Sequence, residues 1–308
     1  MMWQKIVFFL LILICLTPLV SPPIALVLGL IFAFTVANPY PKQTSKTTKI
    51  LLQASVVLLG FGMNLYEVVK AGKSGFFFTV ATIFGTLALG FLVGRVLKVK
   101  DKTSNLISAG TAICGGSAIA AVAPVIDADS EEISVSLGTV FILNSIALFI
   151  FPLIGHYLNL SQNQFGIWAA IAIHDTSSVV GAAAKYGDEA LQIATTVKLT
   201  RALWIAPVAL LFSFFYRNKK TKIAVPYFIF FFLLATILRT YAPENFPAII
   251  FEWLVKLAKI GLTVTLFLIG ASLSREVLQK VGIRPLFQGV ILWIVISVIS
   301  LWAVLTIL

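Results

Sequence analysis

The sequence predicts an all-α membrane protein: one domain over residues 1–308, with about 11 transmembrane helices, some of them interrupted. Three observations lead there. The chain is 59% hydrophobic and only 11% charged, with a mean hydropathy of +1.02, whereas soluble domains carry about 25% charged residues. Runs of about 20 apolar residues, the length that crosses a bilayer, recur from end to end. The basic residues gather between these runs. The net charge of +11 is therefore a topology signal, with lipid as the partner and not nucleic acid.

The expected spans fall at about 4–20, 23–38, 48–69, 76–96, 105–126, 133–155, 164–186, 190–216, 224–241, 250–276 and 286–306. The first resembles a signal peptide but lacks an A-x-A site, so it reads as a retained helix. Basic loops lie at 42–49, 95–102, 217–222 and 275–284, and an N-terminus inside the cell places all four in the cytoplasm. The C-terminus, the acidic stretch DADSEE (127–132) and the PEN turn (243–245) then fall outside, with Lys70 and Lys73 as the dissenting charges.

Two segments repeat. KILLQASVVLLGFGMNLYEVVKAG (49–72) aligns without a gap with KIGLTVTLFLIGASLSREVLQKVG (259–282), matching Lys49 with Lys259, Ile50 with Ile260, Gly60 with Gly270, Lys70 with Lys280 and Gly72 with Gly282. The two copies run in opposite directions, so the units 23–97 and 224–306 read as inverted repeats, an arrangement that places substrate on interrupted helices.

The polar residues inside spans mark a site. In SAGTAICGGSAIAAVAPV, Gly110, Gly115, Gly116 and Pro124 are poor helix formers, and a break there would expose backbone amides at Gly115, Gly116 and Ser117. Close helix packing through small residues is the competing reading. In AAIAIHDTSSVVGAAAKYG, His174, Ser177, Ser178 and Gly181 share one helical face. Asp175 is the one acidic residue of 12 deep in a span, and an intramembrane carboxylate is functional by default. Asp175 followed by Thr176, Ser177 and Ser178 is also N-cap chemistry, and a helix beginning in mid-membrane turns its positive end toward a cavity. ICGGSA and IHDTSS echo each other, but straight spans give both the same direction, which fits no inverted repeat.

Lys198 and Arg201, in ATTVKLTRALWIAP, lie three residues apart and so are neighbours deep in a helix that starts near Asp188. Asp175 can neutralise one of these cations, leaving a positive charge for a mobile anion; arginine's planar fork suits an oxyanion. His174 and Asp175 are candidates to carry a coupling proton or to bind Na⁺. The two cysteines, Cys15 and Cys114, form no metal or disulfide framework, and no cofactor is called for.

Together AICGGSAIAA, HDTSSVVGAA, VKLTRALWIAP and LFLIGASL resemble the YeiH-type family of bacterial inner-membrane proteins, which carry the label of sulfate exporters. That resemblance covers nearly the whole chain. It implies kinship with cation/proton antiporters, bile-acid symporters and auxin carriers: inverted repeats, two crossing discontinuous helices, a core moving elevator-like against a scaffold, and often a homodimer. An extra first helix departs from a simple five-plus-five pattern. The resulting expectation is a secondary transporter, not an enzyme, for a small inorganic or sulfur-containing anion such as sulfate. It would bind substrate at Lys198, Arg201, Gly115, Gly116, Ser117, Ser177 and Ser178. A cation/proton antiporter using Asp175 and an intramembrane enzyme using Cys114 or the Ser177/His174 pair remain the alternatives.

Overall fold

The computed structural model describes residues 2–17, 19–36, 38–66, 69, 76–216, 227–243, 247–272 and 281–307. Arg217, Lys219, Lys220 and Lys222, together with Lys70, Gly72, Lys73, Glu244, Asn245, Arg275 and Lys280, lie outside them. The chain is an all-α multi-pass membrane protein, and no strand occurs among the described residues. Its helices are α1 (Met2–Cys15), α2 (Pro22–Thr35), α3 (Pro41–Leu59, continued by a 3₁₀ turn Gly60–Gly62), α4 (Phe76–Val96), α5 (Asp101–Ala112), α6 (Gly116–Val122) and α7 (Ser130–Tyr157). Then follow α8 (Gln162–Ala172), α9 (Thr176–Tyr186), α10 (Asp188–Ala202), α11 (Ile205–Tyr216), α12 (Phe228–Thr240), α13 (Ala248–Ser272) and α14 (Ile283–Ile307). The stretch 42–49, expected as a loop, is instead the first turns of α3.

Two of the expected spans do not cross. The α5 helix has 12 residues, about 18 Å, little more than half of a bilayer's roughly 30 Å hydrocarbon core. After a break the chain returns as α6, and its end lies beside its beginning: Lys102 Nζ donates to the carbonyl of Asp127 at 2.5 Å. The chain then starts α7 at this same end, where Lys100 pairs with Glu131 at 3.8 Å and Ser136 Oγ donates to the carbonyl of Thr103 at 3.3 Å. DADSEE therefore sits with the basic 95–102 loop and not on the opposite side. A capping box, Asp129 with Glu132, starts α7 there.

The second interrupted segment repeats this from the other end. Ser161 and Gln164 form the capping box that starts α8. The α9 helix returns to the same place: Tyr186 Oη donates to the carbonyl of Leu160 at 2.6 Å, and the Tyr186 ring stacks on Phe165 at 3.8 Å. Gln162 Oε1 accepts from the amides of Glu189 and Ala190 at 3.1 and 3.2 Å. A β-carbon at Gly187 would stand 2.0 Å from that oxygen, so a larger residue there would displace the Gln162 carboxamide from these amides.

The two hairpins enter from opposite ends and are flanked by two long rods. One is α7, 28 residues or about 42 Å. The other is α10 with α11, an apolar path over Asp188–Tyr216 that bends at Leu203 and finishes where Tyr216 Oη accepts from Asn105 Nδ2 at 2.8 Å. The α5 sequence DKTSNLISAGTA is too polar for lipid, and it is tolerated because Thr103, Ser104 and Leu106–Ala112 are all buried in protein. Ser108 Oγ bonds back one turn to the carbonyl of Ser104 at 2.6 Å, and Ser104 Oγ donates across to the carbonyl of Gly90 at 3.3 Å. Gln288 of α14 ties α4 to α5, its Nε2 donating to the carbonyl of Gly90 at 3.1 Å and to Ser104 Oγ at 2.8 Å.

Around this core, α13 packs on α2 and α3, while α12 packs on α3. The matched glycines make equivalent contacts: a β-carbon at Gly60 would lie 2.7 Å from the Phe232 carbonyl oxygen of α12, and one at Gly270 would lie 2.4 Å from that of Leu26 in α2. Leu92, Phe214, Phe231 and Trp302 are among the large apolar side chains left on the outer surface, as a lipid-facing surface requires.

Candidate functional site at the hairpin tips

The first tip is the break Ile113–Gly115. Ile113 departs from helical geometry (φ −118°, ψ −84°), and Gly115 adopts φ +65°, ψ −124°, a region that disfavours any side chain with a β-carbon. The carbonyl of Ala112, left without a helical partner, accepts from Arg201 Nη2. Arg201 Nη1 donates to Thr82 Oγ1 of α4 at 2.8 Å. One guanidinium thus holds a half-helix C-terminus against a neighbouring helix. Positive charge at that helix end is electrostatically favoured.

At the second tip, Ile173 and Asp175 are extended, with ψ of 124° and 142°. Asp175 is the N-cap of α9; its Oδ2 accepts from the Ser177 amide at 3.0 Å and from the Ser177 hydroxyl. The Asn144 carboxamide of α7 bridges the gap, its Oδ1 accepting from the amides of His174 at 3.0 Å and Asp175 at 3.3 Å. Lys198 Nζ donates to the carbonyls of Ile173 at 2.8 Å and Ala170 at 3.2 Å, the open C-terminal end of α8. Each cation of the KLTR turn therefore closes one half-helix.

The tips touch: a β-carbon on Gly115 would lie 3.3 Å from Asp175 Cα. Gly115, Asp175, Ser177, Ser178, Lys198 and Arg201 are brought together and buried, the last two with 0% exposure. Gly116 opens α6, facing Leu137 and Phe141 of α7, while Ser117 is exposed. His174 lies in the break before α9 and so is not on one helical face with Ser177. The ion pairs among the described residues are Lys100–Glu131 and Lys259–Asp188, so Asp175 is not paired with either buried cation. Nor is the Ser177/His174 dyad formed, since neither His174 ring nitrogen has a hydrogen-bond partner there.

Two contributors are absent from the expected set. Thr82 stands in FTVATIFG with nothing to mark it. Asn144 could have been found, because a carboxamide in the apolar run FILNSIALFIF invites the same question as an intramembrane acid.

The fold and the tips define the class: a multi-pass membrane protein built on two opposed re-entrant hairpins, with a buried, cation-bearing polar site where they meet. The chain belongs to the family described as conserved hypothetical protein 698, whose model matches residues 6–289; this is the YeiH type that the four motifs anticipate. It is similar to a UPF0324 membrane protein of Bacteroides thetaiotaomicron, 58% identical over 92% of this chain and 86% of that one. A UPF0324 membrane protein of Porphyromonas gingivalis is 56% identical over 94% and 89%, and one of Bdellovibrio bacteriovorus is 53% identical over 98% and 94%. No solved structure matches the chain.

Proposed function

We propose that the protein is a secondary transporter of a small oxyanion, sulfate being the first to test, working by alternating access at the hairpin tips. One observation carries this reading. Lys198 and Arg201 are both wholly buried, yet no carboxylate pairs with either among the described residues. Buried cations are costly without a counter-charge. The carbonyls that hold them supply only partial charge, which leaves a site that gains most from an anion. An entering oxyanion competes with these carbonyls for the guanidinium and ammonium, so binding loosens the tips and lets the core move. Ser177 and the α9 N-terminus add donors, in the manner of half-helix sites for anionic substrates.

Asp175, with His174 beside it, is the candidate to take up a coupling proton or Na⁺. An antiporter using Asp175 as a cation site is the weaker reading, because one of its oxygens is already committed to Ser177. Basic residues place the end bearing residues 95–102 and the N-terminus in the cytoplasm, with the C-terminus outside a bacterial inner membrane. Counterflow of labelled sulfate into proteoliposomes preloaded with unlabelled sulfate tests the proposal. Exchange that Arg201→Gln abolishes supports an anion carrier; folded protein that exchanges no oxyanion rejects it.

A further inference from the structure

Asn144 lies half-way along α7, on the face that meets both tips, since Val140 one turn earlier would touch a β-carbon on Gly115 at 3.3 Å. Its carboxamide orientation is set by chemistry. The atom facing hairpin two receives two backbone N–H groups, from His174 and Asp175, so that atom is the oxygen. The Nδ2 amide must point the other way. There it is wholly buried with no hydrogen-bond partner among the described residues, although Asn144 itself is 2% exposed.

An enclosed amide with two unused hydrogens is costly unless something accepts from it. Apart from Gln288 Oε1 and Ser297 Oγ on α14, its unpartnered companions are Arg201 Nε, the two His174 nitrogens and Thr111 Oγ1, from the elements that meet at the tips. Arg201 Nε is a donor only, a hydroxyl can donate, and a neutral imidazole offers one donor and one acceptor. The imbalance is toward donors, so the complementary ligand brings oxygens.

Resting on the anion reading above, we infer that Asn144 contacts the substrate directly, its Nδ2 amide donating to one oxygen of a bound oxyanion while its Oδ1 shapes the tip of the second hairpin. Neither function is available to an apolar residue in this position. The residue also sets specificity: its amide donor favours an oxygen without a hydrogen, which every oxygen of sulfate offers and the P–OH of hydrogenphosphate does not.

Asn144→Asp keeps the acceptor that holds the His174 and Asp175 amides and turns the donor into a carboxyl oxygen that adds a negative charge when ionised, so the uncharged Asn144→Ser is measured beside it to separate the lost donor from the added charge. Competition of unlabelled sulfate and of hydrogenphosphate against counterflow is measured for wild type and variant, with thermal unfolding followed in parallel. The expected result is near-native thermal stability, sulfate competition weakened by at least about tenfold, and a sulfate-to-phosphate preference shifted toward phosphate. Unchanged sulfate competition overturns the inference, as does loss of both anions in proportion to a fall in stability, which would make Asn144 only a support for the tip. Wild type that exchanges neither anion brings down the anion reading itself. Asn144→Ser, which retains a hydroxyl donor, is expected to recover part of the sulfate preference.

Discussion

Gly115 and Asp175 sit back to back at the centre of the molecule, where a single methyl group on the glycine would press within 3.3 Å of the aspartate backbone. Each is the turning point of a helical hairpin, and the hairpins come from opposite ends of the protein.

That contact makes Gly115→Ala a sharp test. The residue would carry a β-carbon at φ +65°, ψ −124°, outside the regions open to side chains with a β-carbon, while crowding Asp175. The unfolding transition of purified protein is expected to fall accordingly, with exchange lost. Equal stability for wild type and variant would mean that the break is not held in this geometry.

Sidedness follows from the folded-back hairpins. With Cys15 and Cys114 replaced, single cysteines at Lys100, Glu131 and Asn159 are all exposed positions. A membrane-impermeant maleimide is expected to label Lys100→Cys and Glu131→Cys from one face and Asn159→Cys from the other. Labelling of Glu131→Cys from the face opposite Lys100→Cys would show that residues 101–128 cross the membrane.

Arg201 holds the Ala112 carbonyl and the Thr82 hydroxyl at once. A lysine is a point donor and cannot span both with the same geometry. Arg201→Lys is therefore expected to keep the charge but reduce sulfate counterflow about tenfold or more. Wild-type counterflow in the variant would reduce Arg201 to a charge alone.

Asp175→Asn keeps an oxygen for the Ser177 amide and removes a charge that can bind a proton. Counterflow, which needs only binding and movement, is expected to persist. Uptake driven by a pH gradient is expected to drop to the level of empty vesicles. Undiminished gradient-driven uptake would assign coupling to another group.

The unit 23–97 and its counterpart 224–306 come together in space, with α2 on α13, α12 on α3 and α4 on α14. We propose that an inverted-repeat relation underlies these paired contacts. Equivalent crosslinks between α2 and α13 and between α12 and α3 would support it.

Much of this was legible in the chain. The apolar runs announce lipid because nothing else can solvate them. DTSS predicts a helix start at Asp175, since a side-chain acceptor followed by hydroxyls suits an N-cap, and the structure places it there. KLTR predicts two neighbouring cations deep in one helix, and they are buried there. Composition and local chemistry suffice for such features because each depends on residues within one or two turns.

Tertiary structure decided the rest. Whether 101–128 crosses or turns back is not a local property; a 12-residue helix followed by a break permits either, and contacts such as Lys102 with Asp127 select the return. The same folding resolves the echo of ICGGSA in IHDTSS, which straight spans would run in one direction but which the opposed hairpins bring tip to tip. The partners of Lys198 and Arg201 are likewise carbonyls freed by helix breaks elsewhere in the chain, with the Thr82 hydroxyl, and not the carboxylate that charge counting suggests. A sequence lists charged side chains, but backbone dipoles become binding groups only where the fold leaves a helix end uncapped and brings a cation to it.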